Sequence, residues 1–109
     1  LAMRLTPIDP MSSVMRRVRA TSHFLLGDKE KAANWAQKAC IEPGANSATW
    51  AISTAYLEDA GEHEQATMWV KRAREQGFDA ISADLLRAVA LPGEKAQTRF
   101  VKALAEHGL

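Results

Sequence analysis

The stretches Gly27-Asp28-Lys29-Glu30-Lys31-Ala32 and Gly61-Glu62-His63-Glu64-Gln65-Ala66 decide the fold of this 109-residue chain. They share a glycine followed by an acidic residue, and an alanine five places after that glycine. The shift of 34 residues that aligns them also matches two tryptophans and two further alanines: Trp35 with Trp69, and Ala39 with Ala73. Four coincidences at one offset indicate an internal repeat of about 34 residues, since self-similarity at a fixed period is typical of repeat architectures.

Each repeat unit reads as two helices joined by a tight turn. Gly27 and Gly61 can adopt the positive φ that ends a helix, and the acidic residue after each glycine suits the N-terminus of the next helix. Alanines seven residues apart, such as Ala32 and Ala39, lie on one helix face and let a neighbouring helix approach closely. No segment alternates apolar and polar residues as a half-buried strand does. The sequence therefore predicts an all-α fold.

Capping residues, glycines and prolines divide the chain into about six helices in three antiparallel pairs. The predicted helices are 12–26 and 29–41, then 46 or 47 to 60 and 64–76, then a less regular pair at 80–90 and 94–106. We expect one domain across 1–109. It would contain the tail of a truncated preceding repeat at 1–10, repeats at 11–44 and 45–77, and a divergent capping helix pair at 78–109.

Composition narrows the class of protein. Hydrophobic residues make up 47 % of the chain, enough to bury a core, and the net charge is only +1. A net charge this small gives no long-range electrostatic field that would attract nucleic acid or an anionic membrane. No apolar run is long enough to cross a membrane. The lone Cys40 favours a reducing cytoplasm. Because the chain opens at Leu1 without a methionine or signal peptide, we expect a piece of a longer cytoplasmic protein.

The second repeat resembles the tetratricopeptide repeat, with matches at four signature places: Trp50, Gly61, Ala66 and Ala73. It departs from the family at Leu57, where tyrosine is usual, and at Ser53-Thr54, which replace a Leu-Gly pair; the first repeat has Arg16 where tryptophan is usual. The resemblance covers about residues 1–77. It implies helix pairs stacked as a right-handed solenoid, and a protein-interaction or self-association scaffold without a catalytic site of its own.

A narrower resemblance concerns both ends of the chain. The stretch Arg4-Leu5-Thr6-Pro7-Ile8-Asp9-Pro10 is similar to an Arg-Leu-Ser-Pro-Leu-Asp-Pro stretch in the C-terminal repeat regions of bacterial class III adenylate/guanylate cyclases, and 100–109 is similar to their closing helix. The same kind of region follows winged-helix DNA-binding domains in some transcriptional regulators. The resemblance thus implies the C-terminal regulatory region of a bacterial signalling protein. It does not decide whether the domain before it is a cyclase or a winged-helix DNA-binding domain.

Few residues suggest chemistry. His23, His63 and His107 do not share the spacing of zinc ligands, and 91–95 lacks the second glycine and the Ser/Thr of a phosphate-binding loop. Cys40 reads as a small apolar residue in the last turn of a helix, and both later histidines read as surface residues. We therefore expect no catalytic residue, no metal and no cofactor.

The family's geometry implies a protein-binding groove lined by the first helix of each pair. The residues that would face it are Val14, Arg17, Thr21, Phe24, Ala48, Ala51, Ala55 and Glu58. The three alanines would form a smooth floor for an apolar helix or strand of a partner, and Arg17 would meet an acidic peptide or a carboxylate. We also expect a homodimer through the truncated N-terminal end, because an unpaired repeat exposes an apolar face.

Two basic clusters allow another interpretation: Arg16, Arg17 and Arg19, and Lys71, Arg72 and Arg74. The simpler hypothesis is that each cluster is a solvated helix face. The alternative is weak nucleic-acid binding through these side chains, against which the net charge of +1 argues.

Overall fold

The computed structural model describes residues 10–88 and 91–109, except for the side chains of 10, 11, 80, 81, 87 and 88. These residues form six α-helices and no strand: α1 (Pro10–Leu25), α2 (Lys29–Ile41), α3 (Ser47–Asp59), α4 (His63–Glu75), α5 (Ala80–Ala88) and α6 (Glu94–Ala105). The predicted all-α class and the number of helices are confirmed, and the helix ends lie within two residues of the predicted ones. The predicted tail of a preceding repeat lies outside the described residues, except that Pro10 begins α1.

The turns follow the glycine pattern. Gly27 and Gly61 have φ values of 81° and 85°, in the left-handed region that an L side chain rarely adopts. The predicted acidic cap is present in the first unit, where the Asp28 carboxylate accepts a hydrogen bond from the Lys31 amide. It is absent in the second unit, since Glu62 makes no side-chain cap bond to α4. Helix α3 starts instead from Asn46, whose side-chain oxygen accepts from the Thr49 amide.

The first four helices pack as two successive pairs, α1 with α2 and α3 with α4, and α2 joins the pairs by packing on α3. The Ser13 hydroxyl, near the start of α1, donates to the Ala39 carbonyl, near the end of α2, at 3.1 Å. The two helices of this pair are therefore antiparallel. The repeated alanines lie where the helices touch, and all four are fully buried: Ala32, Ala39, Ala66 and Ala73. Within the second pair, the rings of Trp50 on α3 and Trp69 on α4 stack with centroids 6.3 Å apart.

Helix α6 is placed differently from the helices before it. It packs chiefly on α3, whereas its contact with α5 is slight in the described residues. Its apolar side chains Phe100 and Leu104 are buried in the same hydrophobic cluster as the alanines of α2 and α4. None of the described helices is long and apolar enough to span a membrane.

Candidate protein-binding groove

Helices α1 and α3, which carry all eight predicted groove residues, lie side by side. The Arg17 guanidinium donates to the Thr49 hydroxyl at 3.4 Å, and the hydroxyls of Thr21 and Tyr56 are 2.7 Å apart. Further along, the rings of Phe24 and Tyr56 have centroids 4.6 Å apart. The structure thus brings the two predicted groove-lining helices into direct contact along their length.

Helix α6 covers the half of this groove that holds the C-terminal turns of α1 and α3. The ring of Phe100 lies against those of Phe24 and Tyr56, at centroid distances of 6.4 and 6.0 Å. Three predicted groove residues, Phe24, Ala51 and Ala55, have no exposed surface and belong to the core. These side chains are therefore not available to a partner in this arrangement of the chain.

Arg99 holds α6 over the covered half through several polar contacts. The guanidinium of Arg99 contacts both carboxylate oxygens of Asp59, at 3.3 and 2.5 Å, and this pair is largely shielded from solvent. It also donates to the Phe24 carbonyl at 3.4 Å and lies 4.3 Å from the centroid of the Phe24 ring. A two-pronged arginine–carboxylate pair fixes orientation as well as distance, so Arg99 sets how α6 lies across α3.

Glu58, the last of the predicted groove residues, is held between two histidines. One carboxylate oxygen contacts His63 Nδ1 and the other lies 2.6 Å from His107 Nε2. His63 is exposed, as predicted for a surface residue, but the prediction was wrong for His107, whose side chain is only 9 % exposed. The reason is that α6 brings His107 down onto α3. The described residues contain no group of three or more potential ligands that could hold a metal ion.

Among the residues that the structure describes, α6 does not reach the other half of the groove, at the N-terminal turns of α1 and α3, and the side chains there are partly exposed. We call it the open half-groove; it consists of Val14, Arg17, Thr21 and Ala48, all partly exposed. Ile52, also partly exposed, lies one helical turn after Ala48 and hence on the same face of α3. Ile52 is not among the eight predicted groove residues, although its spacing from Ala48 and Ala55 indicates the same helix face.

The basic clusters are partly engaged within the chain. Arg16 forms an ion pair with Glu42 at 2.8 Å, and the guanidinium of Arg72 lies over the rings of Trp50 and Trp69, at 5.0 and 5.7 Å from their centroids. Arg74 donates to the His107 carbonyl at 2.5 Å. Most side chains of the two clusters are exposed, as the interpretation as solvated faces expects. In addition, Arg72 covers aromatic rings, and Arg16 and Arg74 each join elements that are distant in sequence.

Cys40 lies in the last turn of α2, where it was predicted to act as a small apolar residue, and it is buried. Burial raises the pKa of its thiol to about 12, against a weaker lowering influence of Ser53 and Arg72. Because the thiolate is the reactive form of cysteine, a thiol with so high a pKa is a poor nucleophile near neutral pH. The structure gives Cys40 the surroundings of a packing residue.

The comparisons with known proteins return nothing: no protein-family model, no curated protein and no solved structure matches this chain.

Proposed function

We propose that this chain is a tetratricopeptide-like protein-interaction scaffold, with its helix pairs stacked as a right-handed solenoid and no catalytic site of its own. Support comes from the 34-residue period, the glycine turns and the buried alanines at the helix contacts. Helix pairs of this kind bury a continuous core by stacking and leave an extended surface for binding.

The observation that carries the proposal is the open half-groove. Val14 on α1 and Ile52 on α3 offer partly exposed apolar surface. Ala48, one turn before Ile52, has a small side chain, so a partner segment can come close to the backbone of α3. Arg17 lies one turn after Val14 on α1, and among the described residues its side chain has a hydroxyl partner, Thr49, but no carboxylate. The ligand that fits is a short apolar protein segment with one Asp or Glu placed to meet Arg17.

The parent protein is part of the same proposal. The similarity of 4–10 to the repeat regions of class III cyclases supports the C-terminal regulatory region of a bacterial signalling protein such as an adenylate cyclase. All of that stretch except Pro10 lies outside the described residues, so the support is from sequence alone. The alternative is the corresponding region of a winged-helix transcriptional regulator.

A peptide-display selection tests the binding role. Peptides selected on the chain should share apolar residues and one acidic residue, and should bind in solution. Their affinity should fall about tenfold or more, equivalent to roughly 1.4 kcal/mol, with Arg17→Glu or with Ala48→Arg, which fills the floor of the open half-groove. The matched control is Thr67→Arg, which adds the same side chain at an exposed position of α4.

Circular dichroism would confirm that each variant keeps its helical content before binding is compared. Selected peptides that bind the wild-type chain, Arg17→Glu and Ala48→Arg with equal affinity would exclude the open half-groove as the binding surface.

A further inference from the structure

The outer side of α1 carries an apolar stripe that nothing in the described part of the chain covers. Met15 and Val18 are 58 % and 56 % exposed, and Leu26, in the turn directly after α1, is 80 % exposed. Their spacing of three and eight residues places them on one side of a helix over about 16 Å. We call these three residues the outer stripe; it faces away from Ser13, Ala20 and Phe24, through which α1 packs on the core.

The edge of the outer stripe nearest α2 is positively charged. Arg19 follows Val18 directly, and its guanidinium lies 4.9 Å from the centroid of the Trp35 ring on α2. Lys38 lies over the same ring, with its ammonium nitrogen 4.5 Å from the centroid. Two cations thus converge on one partly exposed tryptophan.

Neither Arg19 nor Lys38 has a carboxylate within ion-pair distance among the residues that the structure describes. Helix α1 itself contains no acidic residue, and Glu42, at the end of α2, is already paired with Arg16. The positive edge beside the outer stripe is therefore not neutralised from within these two helices.

This charge discriminates between possible occupants. In a symmetric dimer, two copies of α1 packed through their outer stripes would bring Arg19 and Lys38 of one copy towards the same residues of the other, and like charges at an interface destabilise it. A helix with apolar residues on one face and carboxylates beside them would satisfy both the stripe and the two cations.

We propose that the outer stripe, with Arg19 and Lys38 at its edge, docks an amphipathic helix of a partner protein whose apolar face is flanked by Asp or Glu. This surface shares no residue with the open half-groove, although Val18 lies one helical turn from Val14 and the two surfaces adjoin; the inference therefore goes beyond the proposed function and does not depend on it. Apolar burial along the stripe provides the affinity, and the acidic flank provides the orientation and the specificity.

Two designed peptides serve as probes. Both are fluorescein-labelled helices of about 18 residues, or five turns, with leucines at i, i+3, i+4 and i+7 forming the apolar face. The positions beside the leucines are Glu in one peptide and Lys in the other, and all remaining positions are alanine. Fluorescence anisotropy should show that the full chain binds the Glu peptide about tenfold or more tightly than the Lys peptide. This preference should shrink as salt is added, because exposed charges are screened.

Variants locate the binding surface. Val18→Asp and Leu26→Asp should each weaken the Glu peptide about tenfold, whereas Leu85→Asp, at an equally exposed leucine on α5, should leave its affinity unchanged. Replacing both cations, Arg19→Glu with Lys38→Glu, should reverse the preference towards the Lys peptide. Lys71→Glu, on the exposed side of α4, is the matched charge control and should not reverse it.

The proposal would be overturned if the chain bound the Glu and Lys peptides with equal affinity, or if it bound neither. It would also be overturned if Leu85→Asp weakened binding of the Glu peptide as much as Val18→Asp does. A concentration-dependent dimer, seen by light scattering, that Val18→Asp abolishes would overturn it as well, since the occupant would then be a second copy. Ala48→Arg should leave the Glu peptide bound, so failure here and failure of the open half-groove can be told apart.

Discussion

Replacing Phe100 by alanine removes a buried aromatic side chain through which α6 packs on α1 and α3. Phe100 is 2 % exposed, and its ring packs against those of Phe24 on α1 and Tyr56 on α3. The substitution leaves the helix propensity of α6 intact, since alanine is the best helix former. Any loss of stability therefore reports on the packing of this ring.

The expected cost follows from the burial. Truncating a buried phenylalanine to alanine costs about 3–5 kcal/mol, from lost burial plus the cavity that remains. Two ring contacts are lost with it, and each aromatic pair contributes about 0.5–1.5 kcal/mol in suitable geometry. We expect a loss of about 4 kcal/mol, a large part of the roughly 5–15 kcal/mol that stabilises a domain of ordinary size.

Urea unfolding followed by circular dichroism and tryptophan fluorescence measures the loss. The fluorescence comes from Trp35, Trp50 and Trp69, which lie on α2, α3 and α4, so it shows whether those helices still unfold together. The matched control is Val101→Ala at the next position, which is only partly buried and should cost about 1 kcal/mol. A loss for Phe100→Ala no larger than that of the control would refute the packing of α6 across α1 and α3.

Further predictions concern the helix contacts, a turn and the buried thiol. Ala32→Leu and Ala66→Leu should each cost about 1–3 kcal/mol by overpacking a close contact, whereas the exposed Ala105→Leu should cost little in the same thermal melts. Gly61→Ala should destabilise by about 1 kcal/mol in urea unfolding, because φ is 85° and alanine is strained there. For Cys40, burial raises the pKa from 9.0 to about 12 in the folded chain. The stability that the protonated Cys40 thiol contributes is therefore complete below pH 9. It is lost as pH rises towards 12, by about 1.4 kcal/mol per pH unit, because the thiol loses its proton at a lower pH in the unfolded chain than in the folded chain. Cys40→Ala should remove that part of the slope; an unchanged slope would contradict the burial.

The helices and turns could be predicted because their causes are local. A glycine such as Gly27 ends a helix through its own backbone freedom, and alanines such as Ala32 and Ala39 mark a close contact by their spacing. Such signals lie within a few residues of the feature that they predict, so one sequence suffices to find them.

The covered half of the groove could not be predicted, because its contacts join residues that are distant along the chain. Asp59 and Arg99 are 40 residues apart, and Glu58 and His107 are 49 apart. The repeat places α1 and α3 in register, but no periodic signal tells where α6 lies, since it falls outside the two matched units. Phe100 is spaced four residues from Ala96 and from Leu104, which places it on the apolar face of its helix. That spacing does not show which helices pack against the face.

The most direct test is nuclear magnetic resonance of the full chain with labelled phenylalanine and tyrosine rings. The account predicts cross-relaxation peaks from the Phe100 ring to both Phe24 and Tyr56, as their centroid distances of 6.4 and 6.0 Å require. A fully helical chain that shows neither peak would contradict it, because α6 would then lie elsewhere and the predicted groove would be open along its whole length.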